Sequence, residues 1–185
     1  FPGNIAVLGG GSWATALAKL LMQNCELIHW YMRRDDRIDD FKRLGHNPAY
    51  LTDVEFDINR IVFSSDINRV CESADTLLLA MPSPYFKDHM AKITVPLADK
   101  YIVSAIKGIV PDSNELVTDY MTSHFGVDPD RQLCISGPCH AEEVALDRLS
   151  ILTIGCHNPE LAGEFARCIA GKHTHTVTST DLAGI

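Results

Sequence analysis

Short apolar runs alternate with longer amphipathic segments along this chain, and that alternation constrains the fold more than any other feature. Runs this short predict strands, and the amphipathic segments between them predict helices, so the chain is a series of βαβ units. We predict the first six strands at Ile5–Leu8, Glu26–Tyr31, Ile61–Phe63, Thr76–Ala80, Tyr101–Ala105 and Leu133–Ser136. The pattern therefore predicts a doubly wound, mostly parallel α/β sheet with helices on both faces.

The second half of the chain continues the pattern less regularly. Leu149–Cys156 and His175–Thr178 are further strand candidates, with a helix between them that begins near Pro159. Another helix is expected over about residues 113–124. The segment His46–Asn59 shows no clear periodicity and is interpreted as an excursion from the sheet.

Composition excludes several classes of function. The 185 residues are enough for one domain with a sizeable core. A formal net charge of −8 argues against a nucleic-acid binder or an anionic-membrane binder, which would need a basic face, but it allows a local cationic pocket. No apolar run is long enough to cross a bilayer, so no membrane span is expected.

The cysteines and histidines predict neither disulfides nor a metal site. The six cysteines are scattered, without a CxxC pair, which is typical of reduced thiols and favours a cytoplasmic location. The run His173-Thr174-His175 has the spacing of an alternating strand face, which we prefer to metal ligation. Hence no metal is expected.

A glycine-rich turn separates the first strand from the first helix. Gly9-Gly10-Gly11-Ser12-Trp13-Ala14 fits G-x-G-x-x-A. In a Rossmann-type domain the first glycine permits the tight turn, the second lets the backbone approach a pyrophosphate, and the small third residue keeps helix and strand close. Ser12 is the predicted helix cap. The motif therefore predicts a dinucleotide site; the alternative is a glycine-rich turn without a ligand.

The end of the second strand bears on which dinucleotide binds. An Asp or Glu that would accept a hydrogen bond from the ribose 2′-hydroxyl is expected about twenty residues beyond the turn when NAD is preferred. Trp30 and Tyr31 occupy that place, and Arg33 and Arg34 follow. Guanidinium groups match a 2′-phosphate, so the cofactor is NADP or NAD, with NADPH favoured. The alternative is that these arginines only form a solvated start of a helix.

Further motifs stand in order along nearly the whole chain, at residues 9–18, 30–34, 46–51, 81–83, 105–109 and 136–145. They resemble motifs in the N-terminal domain of bacterial NAD(P)-dependent sn-glycerol-3-phosphate dehydrogenases. The family usually has GSWGTALA in the first stretch, where this chain has Ala14 in place of the third glycine of the turn motif. In the last stretch the family usually has SGPSFAxEVA.

The resemblance implies reversible hydride transfer between NAD(P)H and dihydroxyacetone phosphate, which gives sn-glycerol 3-phosphate for phospholipid synthesis. It also implies cofactor contacts. Besides Gly9, Gly11 and Ala14 of the turn, the implied cofactor residues are Ser12, Trp13, Arg33, Arg34, Tyr50, Lys107 and Ala141.

The substrate contacts implied by the resemblance are Lys107, Gly137 and Cys139. Lys107 is the candidate catalytic residue, because it lies just past the end of a strand and its ammonium would stabilise the charge that develops on the carbonyl oxygen during hydride delivery. The alternative is a surface lysine in a turn. Cys139 replaces the family's Ser or Thr, and a thiol is the weaker hydrogen-bond donor. His140 replaces an aromatic residue and is interpreted as packing.

The resemblance also divides the chain. Residues 1–180 are expected to form the NAD(P)-binding Rossmann domain, and residues 181–185 the start of a C-terminal helical substrate domain. In the family a second lysine, the general acid and base, comes from a stretch beyond the last residue here. We therefore expect this chain to bind cofactor and to turn over substrate poorly or not at all.

Two other functions remain as alternatives. One is a different two-domain dehydrogenase, of the hydroxyisobutyrate or 6-phosphogluconate type, which would share the first turn. The other is a nucleotide-sensing binding module, although such a module would need no substrate-facing lysine. The expected partner is a small-molecule substrate, and a homodimer is one alternative for an oligomeric state that the sequence leaves open.

Overall fold

The computed structural model describes residues 1–106, 109–137 and 140–182. Within them, eight strands form one sheet in the order β3-β2-β1-β4-β5-β6-β7-β8. The strands are β1 Ile5–Leu8, β2 Ile28–Tyr31, β3 Ile61–Ser64, β4 Thr76–Leu79, β5 Tyr101–Ser104, β6 Gln132–Ser136, β7 Ser150–Cys156 and β8 Thr174–Ser179. The pairing of β6 with β7 is antiparallel and the other neighbours are parallel.

Helices connect these strands. They are α1 Ser12–Met22, α2 Asp35–Leu44, α3 Ile67–Ser73, α4 Phe86–Ala91, α5 Val117–Phe125, α6 Ala141–Ala145 and α7 Pro159–Ile169. In the described part of the chain, no helix has both the length and the apolarity needed to span a bilayer. Residues 46–57 contain neither helix nor strand, which confirms the predicted excursion.

The core lies on both faces of the sheet, because successive strand residues point to opposite sides. Val7 and Leu78 pack with α1 and α7 on one face, where Leu17 and Phe165 are fully buried. Leu8 and Leu77 pack with α3, α4 and α5 on the other. The predicted doubly wound, mostly parallel fold of the Rossmann type, with helices on both faces, is confirmed.

Two local predictions are wrong. The helix expected from residue 113 begins at Val117, because residues 110–115 close a turn in which the Val110 N–H donates to the Glu115 carbonyl oxygen and Asn114 has a φ of 56°. Ser12 is the first residue of α1 rather than its cap; Gly11 takes the cap position and makes no side-chain hydrogen bond.

Other local predictions hold. The five described cysteines, at positions 25, 71, 134, 156 and 168, are free thiols. At the start of β8, Thr174 is buried while His173 and His175 are exposed, which confirms the alternating face. The domain boundary expected after residue 180 stays a prediction; the last strand, β8, ends at Ser179.

The strand order reverses direction between β1 and β4. From β1 the chain proceeds outward to β2 and β3, then returns to place β4 on the other side of β1. The helices that follow these strands therefore diverge, and a crevice opens at the carboxyl ends of β1 and β4. Open α/β sheets bind their ligands at this reversal.

Candidate cofactor and substrate site

The glycine turn begins directly after β1, at the reversal of strand order. Gly9 has a φ of 130°, and a Cβ atom there would lie 2.9 Å from the Ala80 carbonyl oxygen after β4. The Gly9 N–H donates to the Tyr31 carbonyl oxygen (3.1 Å), and its own carbonyl oxygen accepts from the Trp30 indole Nε1 (2.6 Å). These contacts fix the turn between β2 and β4, and only glycine fits there.

The first turn of α1 faces the same crevice with its amide groups. Gly11 caps the helix without a side-chain acceptor, and the first turn contains no acidic residue. The initial amides of a helix have no acceptor within the helix, and they carry partial positive charge. A Cβ atom on Gly11 would meet no described heavy atom within 4 Å. The backbone thus leaves space for an anionic group directly in front of these amides.

Asn47 holds the turn from the other side. It is 2% exposed, and its Nδ2 donates to the Gly10 carbonyl oxygen (3.2 Å) and to the Thr15 hydroxyl (3.0 Å). Its Oδ1 accepts from the backbone N–H groups of Ala49 (2.9 Å) and Tyr50 (3.1 Å). A single buried amide therefore joins the glycine turn and α1 to the loop that carries Tyr50.

Two cavities adjoin the glycine turn. The first, about 350 Å³, is named here the Ser12 cavity, and the second, about 490 Å³, the arginine cavity. Both are bounded by Gly11, Met81 and Pro82. The Ser12 cavity is lined by Gly11, Ser12, Trp13, Ala80, Met81, Pro82, Ser83, Ala105, Ile106, His140, Ala141 and Glu142. The arginine cavity is lined by Gly9, Gly10, Gly11, Tyr31, Met32, Arg33, Arg34, Arg37, Asn47, Tyr50, Met81, Pro82, Tyr85 and His89.

Positive charge is concentrated in the arginine cavity. Arg33, Arg34 and Arg37 all line it, and none of its described lining residues is an Asp or a Glu. A chain with a net charge of −8 therefore has a local cationic wall beside its glycine turn. Anions are the ligands that such a wall attracts.

His89 closes the arginine cavity on the α4 side. Its Nδ1 lies 3.3 Å from the Tyr31 hydroxyl, and the two rings meet edge to face. Burial lowers the pKa of His89, and Lys92 and Arg33 lower it further, against an opposing effect of Asp88. Burial raises the pKa of Tyr31. The neutral imidazole is thus the favoured form of His89.

Residues 4–162 match the family described as "NAD-dependent glycerol-3-phosphate dehydrogenase N-terminus". The match covers most of the chain and contains the glycine turn, the arginines and the linings of both cavities. The chain belongs to this family. Membership in the NAD-dependent glycerol-3-phosphate dehydrogenase family confirms the resemblance and decides against the hydroxyisobutyrate and 6-phosphogluconate types.

Relatives with the same enzyme name match the sequence over nearly the whole chain. A glycerol-3-phosphate dehydrogenase [NAD(P)+] of Ectopseudomonas mendocina is 31% identical over 182 residues, which is 98% of this chain and 52% of the relative. The enzyme of the same name from Lysinibacillus sphaericus is 28% identical and is covered over 54% of its length. The chain therefore spans about half the length of the curated relatives it matches.

A solved structure has the same fold. The glycerol-3-phosphate dehydrogenase of Coxiella burnetii superposes with a TM-score of 0.84 at 24% identity, over 98% of this chain and 55% of that one. At this identity the likeness shows the fold alone.

The structure brings most of the residues implied by the family together around the two cavities. Gly11, Ser12, Trp13 and Ala141 line the Ser12 cavity. Gly9, Gly11, Arg33, Arg34 and Tyr50 line the arginine cavity, where the Tyr50 side chain is exposed.

Two of the implied residues, Ala14 and Gly137, lie apart from both linings. Ala14 is fully buried and belongs to the core beneath the turn. Gly137 follows β6, where a Cβ atom would lie 2.7 Å from the Ile151 carbonyl oxygen, so close strand packing already requires a glycine. His140, interpreted as a packing residue, is instead exposed and lines the Ser12 cavity.

Lys107 and Cys139 lie outside the described residues. Their predicted roles are therefore carried by the sequence alone. Ala105 and Ile106, which precede Lys107 in the chain, line the Ser12 cavity.

Sequence reasoning missed two residues of the site. Arg37 was not singled out; it follows the charged run of residues 33–36, and its direction depends on where α2 begins. Asn47 was noted only within a matching stretch. Its contacts with Gly10 and Thr15 span 37 and 32 residues, and no local pattern shows them.

Proposed function

We propose that this chain provides the NAD(P)-binding domain of a glycerol-3-phosphate dehydrogenase, which interconverts dihydroxyacetone phosphate and sn-glycerol 3-phosphate. The observation that carries the proposal is the open backbone of Gly11 in front of the first amides of α1, at the reversal of strand order and between two cavities. The names of the relatives and the family membership support the same substrate.

The described residues fit a dinucleotide. The space in front of Gly11 lies between the two cavities. A dinucleotide has its pyrophosphate in the middle and a nucleoside at each end, so the pyrophosphate would lie in this space and one nucleoside in each cavity. The adenosine end belongs in the arginine cavity, because the arginines and Tyr50 are there. The absence of any Asp or Glu from its described lining favours NADPH over NADH. The Ser12 cavity is left for the nicotinamide end, with Ser12, Trp13 and Ala141 in its wall.

The substrate is proposed to react beside the Ser12 cavity. The nicotinamide group supplies or accepts the hydride when it is bound. The ketone of dihydroxyacetone phosphate then needs a cation within hydrogen-bond reach of its oxygen, and Lys107 is the proposed source. Gly137 and Cys139 are the proposed further substrate contacts, with the thiol as the weaker donor.

The domain boundary and the cellular setting are proposals of the same kind. We place the nucleotide-binding domain at residues 1–180 and the start of a second domain at 181–185, supported by the end of β8 at Ser179. The free thiols of the five described cysteines support a cytoplasmic setting. A homodimer remains the assembly to test, by sedimentation.

Calorimetric titration with NADPH and NADH tests the proposal. We expect both to bind, NADPH more tightly, and we expect AMP, which lacks the pyrophosphate and nicotinamide, to bind more weakly than either. Dihydroxyacetone phosphate should then bind more tightly to the NADPH complex than to the free chain, as expected for a substrate but not for a sensor. A chain that binds neither NADPH nor NADH would contradict the proposal.

A further inference from the structure

The three arginines of the arginine cavity differ in what they already contact. Arg34 is the N-cap residue of α2, and its guanidinium binds the Asp36 carboxylate through two parallel hydrogen bonds, Nε to Oδ1 at 3.0 Å and Nη2 to Oδ2. This pairing raises the pKa of Arg34 and lowers the pKa of Asp36. Two of the guanidinium nitrogens of Arg34, Nε and Nη2, therefore already contact a carboxylate in an exposed ion pair.

Arg37 lies in the first turn of α2 and is half-buried against the cavity. Among the described residues it has no carboxylate partner, since the ion pairs of α2 are Arg34 with Asp36 and Arg43 with Asp40. A half-buried guanidinium loses hydration, and a carboxylate or another anion normally compensates that loss. Arg37 therefore lacks its compensating anion on the protein side.

Arg33 lies in the same wall. It is exposed, has no ion pair among the described residues, and its charge acts on the pKa of both Tyr31 and His89. Two uncompensated guanidinium groups that share one cavity wall repel each other. An anion between them would offset that repulsion and accept hydrogen bonds from the N–H groups of both guanidinium groups.

We infer that Arg37, together with Arg33, binds the 2′-phosphate of NADPH and sets the preference for NADPH over NADH, whereas Arg34 is held by Asp36 and contributes little. The inference rests on the proposed function and names the residues that select between its two cofactors. It differs from the sequence prediction, which named Arg33 and Arg34. The chemistry requires a terminal phosphate on the adenosine ribose, since NADH offers only a hydroxyl there.

The experiment is a set of calorimetric titrations with NADPH, NADH and the fragment pair adenosine 2′,5′-bisphosphate and AMP. Arg37→Ala and Arg37→Gln should each weaken NADPH on the order of 10- to 100-fold, as expected for loss of a hydrogen bond between charged groups. NADH should change by less than about threefold. The affinity for adenosine 2′,5′-bisphosphate should fall by a similar factor to that for NADPH. The affinity for AMP should change as little as that for NADH.

Two further variants serve as comparisons. Arg34→Ala should alter the ratio of NADPH to NADH affinity by less than about threefold. Arg43→Ala, which removes an exposed arginine of the same helix that lines neither cavity, should leave both affinities unchanged. Circular dichroism and thermal unfolding verify that each variant is folded.

The outcomes separate the two claims. Binding of neither cofactor by the unaltered chain would overturn the proposed function. Binding of both cofactors with an affinity ratio that Arg37→Gln leaves unchanged, or an equal loss for NADPH and NADH, would overturn the role of Arg37 alone. If Arg34→Ala changed the ratio of NADPH to NADH affinity more than Arg37→Ala did, Arg34 would be the residue that binds the 2′-phosphate.

Discussion

Gly9 and Gly11 lie two residues apart in one loop, but a Cβ atom would meet different surroundings at each. At Gly9 it would press on the backbone of Ala80, in a region of φ that disfavours other residues. At Gly11 it would point into open space between the two cavities, and the backbone there is ordinary, with a φ of −86°. Gly9 is therefore required by the fold, whereas Gly11 leaves the space that we propose for a ligand.

We expect Gly9→Ala to lower the free energy of unfolding by roughly 2 kcal/mol or more, through strain and overpacking. Gly11→Ala should change it by less than about 0.5 kcal/mol and should weaken NADPH binding by about tenfold or more, because the new methyl group fills the space for the pyrophosphate. Urea unfolding and calorimetric titration measure the two effects.

Gly163→Ala is the matched control, since Gly163 lies within α7 and its Cβ atom would have only the Arg167 guanidinium as a neighbour, at 3.9 Å. This variant should be neutral or slightly stabilising, because alanine favours helix, and should bind NADPH normally. Undiminished NADPH binding by Gly11→Ala would contradict the assignment of the pyrophosphate.

At the scale of elements, one lysine joins the helix after the glycine turn to the helix that borders the Ser12 cavity. Lys19, in the last turn of α1, donates from Nζ to the Ala145 carbonyl oxygen and to Asp147 Oδ1, both at 2.6 Å. Ala145 is the last residue of α6, so the ammonium compensates the negative end of that helix. Ala141, at the other end of α6, lines the cavity.

Lys19→Met should therefore loosen α6. The Ala145 carbonyl oxygen loses its side-chain donor, and we expect a loss of about 1–2 kcal/mol in the free energy of unfolding and faster amide exchange within α6. Lys42→Met, which alters an exposed lysine on α2, should change neither quantity. Unaltered exchange rates in α6 would show that Lys19 is dispensable for holding this helix.

The elements also show where local sequence patterns predict well. The two strands in the middle of the sheet, β1 and β4, coincide with apolar runs, because burial on both faces demands continuous apolar residues. The start of α5 was predicted too early, since the turn at residues 110–115 depends on a hydrogen bond that closes around Asp112 and Asn114, both with positive φ. The antiparallel direction of β7 was not predicted either, as a strand has the same residue pattern in both directions.

At the scale of the whole molecule, two histidines link folding to pH. Burial lowers the pKa of His29 on β2 below its ordinary value of 6.5. Burial also lowers the pKa of His89, which faces Tyr31, Arg33, Lys92 and Asp88. Both groups bind protons more readily in the unfolded chain. Their contribution to stability is thus fully present above pH 6.5 and is lost as the pH falls through the lowered values in the folded state.

We predict that the free energy of unfolding decreases below pH 6.5 and that His29→Gln or His89→Gln makes this decrease shallower. Urea unfolding across a pH series gives the slope, and His175→Gln, an exposed histidine of β8, is the control that should leave it unaltered. An unchanged slope in both variants, His29→Gln and His89→Gln, would mean that carboxylates alone account for acid sensitivity.

The sequence by itself determined the layered fold, the glycine turn, the family and the cavity that arginines would line. The fold and the turn depend on the spacing of apolar residues and on the backbone freedom of glycine, which are local properties. The family depends on motifs that stand in order along the chain, and the cavity on charged residues next to a strand. Only the tertiary structure decided that Asp36 pairs with Arg34, that Arg37 lines the cavity with no counter-ion among the described residues, and that Asn47 holds the turn. The physical reason is that side-chain direction and distant pairing are set by how the whole sheet and its helices pack, and the sequence shows each partner without showing which ones meet.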